Sequence, residues 1–243
     1  MKTEDQIHGR NTLLGKQQKY LGEFVYGGID GSITTFAVVA GAAGAHLDSS
    51  VIIILGLANL IADGFSMSVS SYLSKKAELQ HYQKHRNIEL WEIDTWPERE
   101  KDEIREIYKA KGFGGKLLQQ IVDVISSNKE VWADEMMTGE HEILPEKKSP
   151  FMMGAITFVS FFIIGFIPLA IYVTQFLRSI PADNNSLLAA SGLTLLAFIG
   201  IGYLKSYVAH TSVWRSIFET VALGTIAAGL AYFTGNMLEK IIN

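Results

Sequence analysis

Five apolar stretches constrain this chain more than anything else in it: Leu21–Ala45, Val51–Leu73, Phe151–Leu177, Ser186–Val208 and Ile217–Leu238. Each is near the ~20 residues that a helix needs to cross a bilayer. A chain with five of them is expected to be a polytopic, all-α membrane protein. The third stretch contains Pro168, which membrane helices tolerate and which is expected to kink this one. The connections His46–Ser50 and Arg178–Asn185 are short, the second with Pro181 and the run Asp183-Asn184-Asn185 as turn chemistry.

Charge is concentrated in one place. Of 25 acidic residues 16, and of 21 basic residues 13, fall between Lys75 and Lys148. The rest of the chain is therefore far more apolar than its overall 48% hydrophobic content suggests, as expected for a membrane protein with one polar insertion. Cysteine is absent. Disulfides, thiolate zinc sites and iron–sulfur clusters are thereby excluded, leaving Asp, Glu, His and Met as metal ligands. A net charge of −4 argues against nucleic acid as a partner. The polar first twenty residues lead us to expect no signal peptide, and no period of 20–50 residues is visible.

Orientation follows from Lys and Arg. The arm before the first span has Lys2, Arg10, Lys16 and Lys19, and the first loop has none. Lys75 and Lys76 follow the second span and Lys147 and Lys148 precede the third; the next loop offers Arg178, the one after it Lys205 and Arg215, and the tail Lys240. The alternation places the N-terminus and insertion in the cytoplasm and the C-terminus outside. The expected organisation is a cytoplasmic arm at 1–20, two spans at 21–74, a cytoplasmic helical insertion at 75–148 and three spans at 149–243. Inside the insertion, Ile104, Ile107 and Tyr108 form one helical stripe between Pro97 and Lys111, ended by Gly112. Leu118, Ile121, Val122 and Ile125 form a second, and a third helix runs from near Asn128 through Met137.

Two spans contain carboxylates, and arithmetic puts these inside the membrane. From Gly31 to Ala45 there are only 15 uncharged residues, too few to cross a ~30 Å core at ~1.5 Å each. The helix must reach back past Asp30. Val51–Ala62 is only 12 residues, so Asp63 is also inside. Counted from the short loop, Asp30, Asp63 and Met67 fall at similar depths in the cytoplasmic half, with Asn59 nearer the outside on the Asp63 face. A carboxylate in lipid costs roughly 2.5–3.5 kcal/mol even on lenient scales, so it usually faces a polar cavity or pathway. A cation path lined by Asp30, Asn59, Asp63 and Met67 competes with a purely structural hydrogen-bonded pair. Gly27, Gly28, Gly31, Gly41 and Ala45 supply small-xxx-small spacing for close helix contact.

The insertion carries Glu89 with Glu92, and Glu100 with Glu103, each at i, i+3; Met136, Met137 and Glu140 share a later helical face. Carboxylates so spaced can converge on divalent cations, and thioether sulfur adds affinity for softer metals. Spacing alone leaves this open against a solvated acidic face. Trp91, Trp96 and Trp132 are core or interface anchors, and His81 and His85, apart from the glutamates, fit solvated surface.

Tyr26-Gly-Gly-Ile-Asp-Gly-Ser-Ile-Thr-Thr-Phe36 and Ala58-Asn-Leu-Ile-Ala-Asp-Gly-Phe-Ser-Met-Ser68 resemble the vacuolar iron transporter family, and so does the layout from about Leu21 to Leu238. The resemblance implies movement of cytosolic Fe²⁺, and often Mn²⁺, out of the cytosol against a proton counterflow. It also implies a homodimer with the ion path between subunits, and an insertion that gathers divalent metal. Carried over by motif, Glu89, Glu92, Glu100, Glu103 and Glu140 with Met136 and Met137 are metal ligands of the insertion, and Asp30 and Met67 are path residues. One position departs. Where plant members have a glutamate early in the second span this chain has Asn59, with Asp63 one turn later, a pattern that resembles a bacterial branch and bears on stoichiometry and metal preference.

The resulting expectation is a proton-coupled Fe²⁺/Mn²⁺ exporter, not an enzyme, with no resident cofactor; Zn²⁺ and other divalent metals can occupy the insertion. Its partners are divalent ions, protons, the bilayer and a second copy of itself. Its membrane is a bacterial plasma membrane, or a vacuolar one in a eukaryote. Two other classes stand beside it. A membrane-anchored metal sensor needs no intramembrane acids, and a ferritin-like di-iron protein usually needs Glu-x-x-His pairs, which neither Glu-x-x-Glu here supplies.

Overall fold

The computed structural model describes residues 13–144, 148–180 and 184–242. Lys2, Arg10, Lys147, Pro181 and Asp183, which enter the charge and turn patterns above, lie outside the described residues. The helices are α1 (Leu13–Gly44), α2 (Ser49–Thr95), α3 (Pro97–Ala110), α4 (Gly115–Ser126), α5 (Lys129–Gly139), α6 (Pro150–Gly165), α7 (Ala170–Leu177), α8 (Asn184–Ala209) and α9 (Val213–Ile242), with a 3-10 turn at Ile167–Leu169. Five segments among the described residues are long and apolar enough to cross a membrane: Lys19–Gly44, Ser49–Thr95, Pro150–Leu177, Asn185–Ala209 and Val213–Ile242. The chain is an all-α integral membrane protein of five spans, with a helical insertion between the second and third.

Two local features of the spans have plain causes. Pro168 has no N–H to donate and its ring crowds the preceding turn, so the third span breaks into α6, the 3-10 turn and α7. Apolar patterning in the second span stops near Leu73, yet α2 continues unbroken for 47 residues. No glycine or proline lies between Ser66 and Thr95 to end it.

The chain divides into two compact units, Met1–Tyr72 with Lys148–Asn243, and Leu73–Lys147. In the first, α1 packs against α6, α8 and α9. Close approach needs small residues. A Cβ at Gly31 would stand 2.4 Å from the Phe161 carbonyl oxygen of α6, and one at Gly235 of α9 would stand 2.1 Å from the Gly41 carbonyl oxygen. An apolar cluster of Val39, Ile52, Leu60, Phe161, Leu169 and Tyr172 fills the interior. The buried hydroxyls of Ser32, Thr157, Thr194 and Thr220 each donate to the carbonyl four residues back, which lets polar side chains sit inside the spans. The outward faces carry Ile54, Ile61, Phe65, Leu196, Phe218 and Leu230, all exposed. Such surface suits lipid tails and would be an aggregation hazard in water.

The second unit is a bundle of the C-terminal part of α2 with α3, α4 and α5. Ile93, Ile104, Leu118, Val122, Ile125, Trp132 and Met136 make its core, so the apolar stripes of α3 and α4 meet inside it. Gly112 adopts φ +94° after α3, a left-handed turn that favours glycine. The Asn128 side chain caps α5 by accepting from the backbone N–H groups of Glu130 and Val131. Arg86 of α2 bonds Glu130 and Asp134 of α5, the latter at 3.1 Å.

Candidate metal sites

The bundle brings the five insertion glutamates together. Glu89 and Glu92 stand one turn apart on α2, Glu100 and Glu103 one turn apart on α3, and Glu140 follows the end of α5. One carboxylate oxygen each from Glu89, Glu92 and Glu100 lies within 4.8 Å of the others, as do ligand atoms of Glu89, Glu140 and His141. Glu89 and Glu100 are each 1% exposed, and one oxygen of each has no hydrogen-bond donor among the described residues. Buried unpaired carboxylate oxygens are costly. A divalent cation would satisfy both.

Electrostatics agrees with the crowding. Burial, then the charges of Glu103, Glu89, Glu92 and Glu140, push the Glu100 carboxyl up to about 7. Burial and the charges of Glu103 and Glu89 raise Glu140 as well. Glu103 also accepts from Arg99 at 3.2 Å. Burial would lower His141, but its 2.7 Å bond to Glu89 Oε1 and the nearby Glu140, Glu89 and Glu92 charges raise it overall. Met136 and Met137 are fully buried, Met136 within the apolar core of the bundle.

His141 carries no signal in the sequence, because it reaches Glu89 only through the turn after α5. His85 does carry one. His81, His85 and Glu89 are spaced i, i+4, i+8, and the unbroken α2 turns that spacing into a stripe. The sequence reading of His81 and His85 as solvated surface passed over that stripe; the fold sets the His85 ring 5.0 Å from that of His141, and the His81 ring 4.4 Å from that of His85.

In the membrane unit, Asp30 on α1 is half-buried and Asp63 on α2 is exposed, and the two carboxylates are close enough to interact electrostatically. Asn59 is half-buried with its Nδ2 lacking an acceptor among the described residues. Met67 packs against the apolar cluster. Glu23, absent from the sequence-derived path, is 11% exposed on α1 and accepts from Lys148 at 2.8 Å.

Five helices long and apolar enough to cross a membrane, with an inserted bundle whose buried carboxylates could hold a divalent cation, define an integral membrane protein with candidate metal sites. The profile of the VIT family matches residues 21–236, and the chain belongs to that family. It is 32% identical over 229 residues to the vacuolar iron transporter of Toxoplasma gondii, covering 92% of this chain and 76% of that protein. To the vacuolar iron transporter of Plasmodium falciparum it is 31% identical, covering 97% and 88%. To vacuolar iron transporter 1 of Arabidopsis thaliana it is 30% identical, covering 89% and 85%. These named relatives are transporters, not enzymes, and come from eukaryotes, so they lend no support to a bacterial placement.

Proposed function

We propose that this chain is a proton-coupled transporter that moves Fe²⁺, and Mn²⁺ beside it, out of the cytosol as a homodimer. The observation that carries the reading is that Asp30 and Asp63 both lie on membrane-length helices, close enough to interact electrostatically. Membrane carboxylates at matching depth have little use in an enzyme or a sensor, and much use where a dication must shed water and cross. Relatives named as vacuolar iron transporters supply the cargo and favour a vacuolar-type membrane over a bacterial plasma membrane.

In this reading the N-terminus and insertion face the cytosol, where Glu89, Glu92, Glu100, Glu103 and Glu140, with Met136 and Met137, gather metal. Carboxylate oxygens attract hard and borderline dications, and thioether sulfur biases the set toward transition metals. The buried state of both methionines means that sulfur joins only when the core side chains shift. Asp30 and Met67 then receive the ion, and Asp63 or Asp30 carries protons the other way. Asp63 is exposed on its span, and a carboxylate so placed is costly against lipid. A second copy covering that face, with the path between the subunits, removes the cost.

Reconstitution in liposomes with an internal metal-sensitive dye and an imposed pH gradient tests the proposal. Fe²⁺ and Mn²⁺ should enter with accompanying proton movement. Metal bound at the insertion but never crossing would make the chain a sensor.

A further inference from the structure

We propose that His85, Glu89, Glu140 and His141 form a second, nitrogen-bearing cation site that favours borderline ions such as Zn²⁺ over Mn²⁺. It shares Glu89 with the all-carboxylate group of Glu89, Glu92 and Glu100 but brings different chemistry to it. Ligand atoms of Glu89, Glu140 and His141 already lie within 4.8 Å of one another. Around one tetrahedral Zn²⁺, with bonds of about 2.0–2.2 Å, donors sit roughly 3.3 Å apart, so side-chain rotation is enough to close the set. His85, its ring 5.0 Å from that of His141, stands beside them as a fourth donor.

A second observation points to a ligand independently of the cluster. Glu89 is 1% exposed, one of its oxygens contacts His141 Nε2 at 2.7 Å, and the other has no hydrogen-bond partner among the described residues. A buried carboxylate with a free oxygen, already turned toward an imidazole, is half of a metal site.

The ligand chemistry sets the selectivity. Imidazole nitrogen suits Zn²⁺ and the later transition metals, while all-oxygen sets suit Mn²⁺ and Mg²⁺. His81, with its ring 4.4 Å from that of His85, continues the row along α2 one turn before His85. An ion leaving His85 toward the N-terminal part of α2 meets another imidazole there.

The test uses the full chain in detergent with one equivalent of Zn²⁺ and no other metal. Zinc-edge X-ray absorption on the unaltered protein should show the outer-shell scattering of imidazole. His85→Gln with His141→Gln should abolish that signature and weaken Zn²⁺ binding about tenfold or more, while Mn²⁺ still binds at Glu92 and Glu100. A wild-type spectrum with oxygen or sulfur scattering alone overturns the proposal, as does unchanged Zn²⁺ affinity in the double variant. The first of these needs no variant to fold. Failure of the unaltered protein to bind either Zn²⁺ or Mn²⁺ would sink both this site and the capture role proposed above. Intact Mn²⁺ binding with a histidine-free Zn²⁺ spectrum would sink this site alone.

Discussion

At the residue scale, metal binding and its pH dependence turn on where the insertion holds its charge. Glu100 is buried among four other carboxylates, so Glu100→Gln with Glu103→Gln should lower the number of Mn²⁺ or Fe²⁺ ions bound per chain. Apparent affinity at the remaining ligands should fall about tenfold or more, because neutral amides lose the charge that attracts a dication. Titration calorimetry on the detergent-solubilised protein reads both. The same burial gives a pH dependence. Glu100 is raised from 4.5 to about 7, Glu140 is raised, and His141 is raised above 6.5. Each holds a proton more tightly in the folded chain than in the unfolded one. Stability is therefore lost as pH rises from 4.5 through 7, on the order of 1–3 kcal/mol for the Glu100 share. Tryptophan fluorescence, weighted toward Trp91, Trp96 and Trp132 of the insertion, should show a lower melting temperature at pH 8 than at pH 5.5 without metal. Saturating Mn²⁺ should remove the difference. A third outcome concerns Asn59 and Asp63, one turn apart on α2. Asp63→Asn should remove proton coupling and most transport, and adding Asn59→Glu should restore part of it, since a carboxylate moved one turn shifts only ~5–6 Å. Normal acidification and flux in the single variant would take Asp63 off the path.

Much of this residue-level picture is legible in sequence, for stated reasons. Asp30 and Asp63 stand out as candidates because span length is fixed by the bilayer and the uncharged runs beside them are short. That Asp30 is half-buried and Asp63 exposed depends on packing that the runs do not encode. The Glu-x-x-Glu spacing puts carboxylates on one helical face, but whether that face is solvated or inward depends on what packs over it. Only the fold supplies that. His141 escapes because its partner, Glu89, is 52 residues away and the connecting turn has no pattern to read.

Among elements, small residues decide how close the spans come. Gly31→Ala puts a methyl 2.4 Å from the Phe161 backbone oxygen, and backbone cannot yield as a flexible side chain can. That variant should lose about 1–3 kcal/mol of stability and melt several degrees lower. Gly200→Ala, where a Cβ meets nothing within 4 Å, should be neutral or slightly stabilising. Equal melting of both variants would contradict the tight α1–α6 seam. Helix existence is legible throughout: Gly112 marks the end of α3, Asn128 caps α5, and Pro168 breaks the third span. The run of α2 to Thr95 is not, because the hydrophobic signal changes at Leu73 while the backbone has no reason to stop.

For the whole molecule, the central claim is that metal crosses the bilayer by way of the intramembrane acids. Asp63 lies exposed on a lipid-length helix, and a dimer that covers it is part of the same claim. The most direct test compares the unaltered chain with Asp30→Asn, each reconstituted at equal density and each eluting as the same dimer from size exclusion. Fe²⁺ entry should be robust with the unaltered chain and fall to the level of protein-free vesicles with the variant. Near-normal entry through Asp30→Asn would contradict the account and leave Asp30 a packing residue.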